Sequence, residues 1–386
     1  MQSSGSNNRS GGSVPTNPVT GHVVLCVDGC DSLKGLRSSG SGGTTRLIAT
    51  AKPALAPASS HPASRFLRVI KPLIAALAVF SSLFFQAQGF AHAQGLWQPA
   101  PGHEQIRIWP GAAPDSRPPT KQETLKTESK ELVAGKPWLY IENVSTPTLT
   151  VYRPHGRNQG TAVIVFPGGG YEILAIDLEG TEVCDWLVSR GITCILLKYR
   201  VPAPRSAPYW GAYPQSPIAL EDAQRAISIT RHHAAEWQID PHKIGVLGFS
   251  AGGHLAVATS VHFRERLYAD VDAADKQSCR PDFVVALYPG HLSVKEGTMK
   301  LNPDIASHIS ADVPPTFLLQ NEDDHTDTIW DALSYYGALI KVHIPVEFHS
   351  YAEGGHAFGL RRTKYPATAW PSLVEVWLHT IGMQAD

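Results

Sequence analysis

The chain reads as an α/β protein built on a mostly parallel sheet with helices on both faces, and three observations predict this. From Thr161 onward, short β-branched apolar runs alternate with stretches of helical period. Several runs, such as Thr161 to Phe166, are apolar at nearly every residue, which is the pattern of strands buried on both faces of a parallel sheet. Their carboxyl ends lead into loops rich in Gly, Ser, Asp and His, and in such sheets those loops face the ligand crevice.

With 386 residues, 43% hydrophobic and 17% charged, the chain can bury a sizeable core. Its formal net charge of −1 is unevenly spread: residues 1–93 carry eight Lys/Arg and two Asp/Glu, and residues 94–386 carry 25 against 32. An acidic body without a basic stripe argues against nucleic acid as a partner.

Residues 1–64 are rich in Gly, Ser, Pro, Ala and Thr and lack sustained hydrophobic period, so this extension is expected to be disordered. Residues 65–93 have a basic start (Arg65, Arg68, Lys71), an apolar centre from Pro72 to Phe85 and the small-residue site Ala91-His92-Ala93. That is the pattern of a signal peptide, and it predicts a secreted or periplasmic protein. Because such peptides begin chains, the true start is expected downstream of Met1, at a codon read here as Leu67 or Val69. The rival reading, an uncleaved anchor, is disfavoured by the shortness of the apolar core, so no stable membrane partner is expected. The folded body is expected to span 94–386.

Within it, Ile106 to Trp109 and Trp138 to Ile141 are short strand candidates, and Thr148 to Tyr152 alternates as a half-buried strand does. Strand Thr161 to Phe166 runs into Pro167 and the glycines Gly168, Gly169 and Gly170. A helix through Val183, Trp186 and Leu187 ends at Gly191, and Ile192 to Leu197 is the next strand. After a Pro-rich loop at 201–217 comes a helix with Leu220, Ala223, Ile227, Ala234 and Trp237 on one stripe. Strand Ile244 to Leu247 meets Gly248-Phe249-Ser250-Ala251-Gly252, followed by a helix. Further strands are expected at Phe283 to Tyr288, Thr316 to Gln320 and Val346 to Tyr351, with helices near Trp330 to Ile340 and Leu373 to Ile381. The polar segment His291 to Val313 has no clear period. Of the five cysteines, Cys184, Cys194 and Cys279 lie in the body, so at most one disulfide forms there; Cys184 and Cys194 are read as small buried hydrophobes.

Strand, Gly-x-Ser-x-Gly, helix is the setting of a nucleophile elbow, where a tight turn lifts a serine out of the sheet. A serine hydroxyl needs a base, for which His356 is the candidate, and the imidazole needs an acid to hold its tautomer. Asp324 is favoured for that task, with Asp323 and Asp327 as alternatives. The oxyanion that forms during attack needs fixed donors, and the amides of Gly169, Gly170 and Ala251 are the candidates. Tyr171, Tyr209 and Trp210 are candidate substrate contacts, although Tyr209, Trp210 and Tyr213 serve equally well to pack a long loop. His254 is expected to be structural and His325 exposed. No metal spacing, Walker loop or dinucleotide fingerprint stands out, so neither cofactor nor metal is implied.

From about Ile106 to Gly382 the chain resembles the α/β-hydrolase serine esterases grouped with bacterial acetylxylan and feruloyl esterases. The matching pieces are Trp109-Pro110-Gly111, residues 163–171 through the triple glycine, 221–226, 239–255 through the elbow, 314–317 and 351–359 around His356. The resemblance implies Ser250 as nucleophile, Asp324 as acid and His356 as base. It also implies an ester substrate, with short acyl groups on plant polysaccharide such as xylan as the leading class. Alternatives are a general short-chain esterase or lipase, a prolyl-oligopeptidase-like peptidase, and a non-catalytic binding protein on the same fold. Two departures stand out: Pro167 replaces the histidine of hormone-sensitive-lipase-like relatives, and His325-Thr326-Asp327 follows Asp324 instead of Pro-Val-Val.

Overall fold

The computed structural model describes residues 97–118, 121–202, 204–207 and 210–385. The segments read as disordered extension and signal peptide lie outside the described residues, as does Tyr209. Among the described residues no helix is long and apolar enough to cross a membrane.

The strands in chain order are β1 (Glu104–Arg107), β2 (Thr124–Val133), β3 (Lys136–Glu142), β4 (Thr148–Tyr152), β5 (Ala162–Phe166), β6 (Ile173–Leu174), β7 (Thr193–Lys198), β8 (Ile244–Phe249), β9 (Val284–Leu287), β10 (Thr316–Asn321) and β11 (Val346–Tyr351). Eight of them form one sheet in the order β1-β4-β7-β5-β8-β9-β10-β11. The run from β7 to β11 is parallel, and β4 and β1 close one edge antiparallel. β5, β7, β8, β9 and β10 are buried at every residue, as their unbroken apolar runs predict. β4 departs from its expected alternation: all five residues are buried, because β1 flanks it and helix packing covers it, with Thr150 accepting a hydrogen bond from Gln105.

The helices are α1 (Glu182–Ser189), α2 (Ile218–His232), α3 (Ala251–Val261), α4 (Pro303–His308), α5 (Ile329–Lys341) and α6 (Trp370–Thr380). α2 stops before Ala234 and Trp237; both are nonetheless buried, carried inward by the turns that follow. Several features are not among the expected elements, and three stand out. One is the largely exposed hairpin strand β2, which pairs with β3 in a separate three-stranded sheet completed by β6. Another is α4, a short helix opened by Pro303, and the last is a π-helical turn at Asp177–Thr181.

Cys184 on α1 and Cys194 on β7 are joined in a disulfide, which corrects their reading as simple hydrophobes. Helix and strand lie close enough for their Cα atoms to stand 5.1 Å apart, well inside the span that a disulfide bridges. Cys279 is free and buried.

Two of the motif pieces turn out to be architectural. Trp109 Nε1 donates to Asp222 at 2.7 Å, and Arg200 donates to Asp222 and, at 2.8 Å, to Glu221. Arg225 Nε reaches the carbonyl of Ile108 at 2.9 Å. The acidic start of α2 thus clamps the first strand segment onto the body, far from the elbow in sequence.

Candidate active site

Ser250 ends β8 and begins α3 with φ 53° and ψ −121°, a left-handed backbone that a side-chain-bearing residue adopts only when its surroundings force it. The forcing is steric. A Cβ on Gly248 would lie 2.0 Å from the carbonyl oxygen of Gly252, and one on Gly252 would lie 2.1 Å from that of Phe166. Both glycines of the elbow are therefore required, and the turn delivers the Ser250 hydroxyl to the carboxyl-end rim of the sheet.

Two other strand ends bring its partners. His356, in the loop after β11, places Nε2 2.9 Å from Ser250 Oγ. Its Nδ1 lies 2.6 Å from Asp324 Oδ2, in the loop after β10. Asp324 is 1% exposed and accepts further bonds from Gln320 Nε2 at 2.9 Å and from the amides of Thr326 and Asp327 at 2.9 and 3.1 Å. A buried carboxylate this well satisfied is fixed in place, and it selects the tautomer with a hydrogen on Nδ1 and a lone pair on Nε2. Burial opposes charge on His356, but the hydrogen bond and charge of Asp324, with Asp327 and Glu179 behind it, raise its pKa above the usual histidine value.

The three acids weighed for orienting the histidine do three different things. Asp323 accepts from the amides of Gly354 and Gly355 at 3.1 and 2.8 Å, tying down the loop that carries His356. Asp324 bonds the imidazole. Asp327 accepts from Ser250 Oγ at 3.1 Å and lies 3.7 Å from His356 Nε2.

In the glycine loop, the Gly168 amide is engaged by Glu179 Oε2 at 2.8 Å. The amides of Gly169 and Gly170 meet no acceptor among the described residues, and Ala251 leads α3, where amides lack intrahelical partners. Among the described residues these three N–H groups have no acceptor, and the positive end of α3 adds to them.

Sequence reasoning passed over Glu179 and Tyr288. Glu179 is buried in the π-helical turn, holds Gly168, and accepts from Tyr288 at 2.8 Å. Burial pushes its carboxyl up, against the bonds from Tyr288 and Gly168. Tyr288 also accepts from the Gly359 amide at 3.0 Å and packs edge-on against His356. One carboxyl thus braces both the glycine loop and the histidine loop. The available signal was position alone: Tyr288 directly follows a buried strand.

Tyr171, a candidate substrate contact, is 4% exposed, and its hydroxyl bonds His254 Nδ1 at 2.7 Å. It braces the glycine loop from within, and with Trp210 and Gly211 it lines a small pocket. His254 is buried, as expected of a structural residue, and burial with the nearby His291 and His262 lowers its pKa to about 3, so it stays neutral. His325 is exposed. Trp210 and Tyr213 line a cavity of about 430 Å³ together with His254, His291, Asn302 and Asp304. Asp304 also meets His262 and His308, through bonds of His262 Nε2 to Asp304 Oδ2 at 3.2 Å and His308 Nδ1 to the Asp304 carbonyl at 2.7 Å.

Residues 149–291 match the BD-FAE family model. The chain is 26% identical over 223 residues to an acetylxylan esterase of Xylanibacter ruminicola, covering 52% of this chain and 41% of that protein. It is 26% identical to endo-1,4-beta-xylanase B of Butyrivibrio fibrisolvens, covering 57% of this chain and 36% of that one. It therefore spans about two fifths of the length of these curated relatives. Among solved structures, the acetyl ester-xyloside bifunctional hydrolase of Caldicellulosiruptor lactoaceticus is 32% identical with a TM-score of 0.57, covering 73% of this chain and 97% of that one. A thermophilic esterase of Thermogutta terrifontis, 23% identical with a TM-score of 0.52 over 62% of this chain and 91% of its own, shares the fold. A sheet of this order, an elbow of this shape and a relative aligned along nearly its whole length lead to one assignment: the chain belongs to the α/β-hydrolase carbohydrate esterases.

Proposed function

We propose that the protein is a serine carboxylic-ester hydrolase that removes acetyl or other short acyl groups from plant polysaccharide such as xylan. The observation that carries this reading is the hydrogen-bonded run from Asp324 through His356 to Ser250, at 2.6 and 2.9 Å. In the first half-reaction Nε2 of neutral His356 takes the Ser250 proton as Oγ attacks the ester carbonyl carbon. The carbonyl oxygen becomes an anion facing the amides of Gly169, Gly170 and Ala251, a stabilisation for which each donor typically counts about 3–4 kcal/mol. As the intermediate collapses, the C–O bond to the alcohol breaks and His356 returns the proton to the departing oxygen. Water then enters, gives a proton to His356, attacks the acyl-enzyme, and releases the carboxylic acid with Ser250 restored. No step calls for a cofactor.

Export fits the same picture. The basic-apolar-small run at 65–93 and a disulfide between Cys184 and Cys194 both suit a secreted or periplasmic enzyme. N-terminal sequencing of exported material should find a mature start near Gln94; a start that retains residues 1–64 would refute the cleavage.

The deciding experiment is an acyl-chain and leaving-group series on purified protein. Acetyl esters of xylan oligomers should be cleaved far faster than butyryl or longer aryl esters. Equal or better turnover of long chains would replace this reading with a lipase, and a phosphonate probe that leaves Ser250 unlabelled would remove catalysis altogether.

A further inference from the structure

The hydroxyl of Ser250 has one hydrogen and two acceptors in reach: His356 Nε2 at 2.9 Å and Asp327 Oδ2 at 3.1 Å. The reaction uses the first; the second has no part in it. Yet Asp327 is firmly built in. Its amide donates to Asp324 Oδ1 at 3.1 Å and its carbonyl accepts from Gln320 Nε2 at 2.7 Å, so its backbone is pinned to the residues that hold the triad acid. Room for its carboxylate exists because residue 290 is glycine, where a Cβ would fall 2.1 Å from Asp327 Oδ1. Its side chain is 12% exposed, and among the described residues its ion-pair partner is His356, 3.7 Å away, with no lysine or arginine in range. A carboxylate buried beside another carboxylate and without a fixed cation is costly to keep. Burial, opposed by the nearby His356 and His291, raises its pKa.

Position says what such a group faces. His356 Nε2 must hand its proton to the departing alcohol oxygen, so that oxygen passes beside Nε2. A carboxylate 3.7 Å from that nitrogen therefore borders the path of the alcohol. We propose that Asp327 reads the alcohol half of the substrate: it accepts a hydrogen bond from a hydroxyl on the carbon next to the ester oxygen, so the site prefers esters of vicinal diols, as in a partly acetylated sugar. The inference rests on the ester-hydrolase reading above and deepens it. Two oxygens on adjacent carbons stand about 3 Å apart, close to a hydrogen-bond length, so one beside Nε2 leaves the other within reach of Asp327. When the substrate hydroxyl satisfies Asp327, the Ser250 hydrogen loses its competing acceptor and is directed wholly to His356.

The test compares three acetates on the wild-type protein, D327N and D327A: a monoacetylated methyl xyloside with a free neighbouring hydroxyl, its deoxy analogue lacking that hydroxyl, and p-nitrophenyl acetate. Removing the hydroxyl should lower the wild-type kcat/KM about 10- to 100-fold, the range of a charge-assisted hydrogen bond. In D327A the two sugar esters should agree within about threefold, because the acceptor is gone. D327N, which keeps an acceptor oxygen without the charge, should fall between. The inference is overturned if the hydroxyl makes no difference to the wild type, a result that needs no variant to fold. It is equally overturned if its removal costs wild type and D327A the same factor, or if both variants lose activity equally on all three esters. Wild-type protein inert toward all three acetates would instead sink the ester-hydrolase reading, and this inference with it.

Discussion

His356 is pulled in two directions. Burial resists its protonation, while Asp324, Asp327 and Glu179 favour it, and the carboxylates prevail. Only the neutral imidazole accepts the Ser250 proton, so kcat/KM must rise with pH through the free-enzyme pKa of His356. Since that pKa is raised, the midpoint of the acidic limb should lie above the ordinary value near 6.5. D327N removes one of the charges that raise it and should move the limb toward lower pH; a limb that stays put would mean that the two groups do not interact. D324N removes more, since it takes away the acceptor that fixes the tautomer, and kcat should drop about 10⁴-fold. The meeting of Ser250 and His356 was legible because each follows a run that reads as a strand, in the chain order Ser, Asp, His. The division of labour among Asp323, Asp324 and Asp327 was not. Loop acids carry no periodicity, and only coordinates separate a residue that bonds a ring nitrogen from one that bonds two amides.

The loop between β11 and α6 is held by side chains from other elements. Asp323, in the loop after β10, holds Gly354 and Gly355 through both carboxylate oxygens, and Asn321 Nδ2 holds the Gly355 carbonyl at 2.8 Å. D323A leaves two part-buried amides without an acceptor, each bond to a charged group being worth about 1.5–3 kcal/mol. The loop should loosen and His356 should lose its alignment, lowering kcat about 10- to 100-fold with little change in KM. D323N retains one acceptor oxygen and should recover part of the loss; equal kcat in wild type and D323A would exclude a positioning role. Among elements, the parallel core was readable because strands buried on both faces keep their few polar residues at the ends of an apolar run, as in β7 and β10. The hairpin strand β2 was not: its residues Thr124 to Val133 alternate exposure weakly and include charged side chains, so neither period dominates. α4 was hidden for another reason. At six residues it is too short to show a helical repeat.

Across the whole molecule, the site depends on a body whose first segment is fastened by charge as well as by apolar packing. Arg200, 2% exposed, donates to Asp222 through Nε, to Glu221 through Nη2 and to the Pro114 carbonyl through Nη1, while Trp109 shares Asp222. The guanidinium of Arg200 stands 5.9 Å from the Trp109 ring centroid, and that of Arg225 stands 5.6 Å from it. A network of this kind is neutral to mildly costly when intact, yet severe to break, because the surviving charges have no water to turn to. R200M leaves Asp222 and Glu221 buried without their cation and should lower unfolding stability by about 3–5 kcal/mol, read as a lower denaturant midpoint at constant slope. Glu221 limits how that loss varies with pH. Burial and Asp115, against Arg200, raise its pKa to about 7, so without Arg200 it is driven further toward its neutral form. In the wild type the folded state therefore holds a proton that the unfolded chain has released, between the ordinary glutamate range and about pH 7. The Glu221 contribution to stability accordingly falls as pH rises through that window, and E221Q should abolish that part of the slope. Denaturation midpoints of wild type, R200M, E221Q and the double variant, taken at pH 5 and pH 8, decide the matter. If the clamp acts as one unit, the losses will be non-additive and R200M will be less damaging at the acid end; additive losses with no pH dependence would reduce it to separate surface-like pairs.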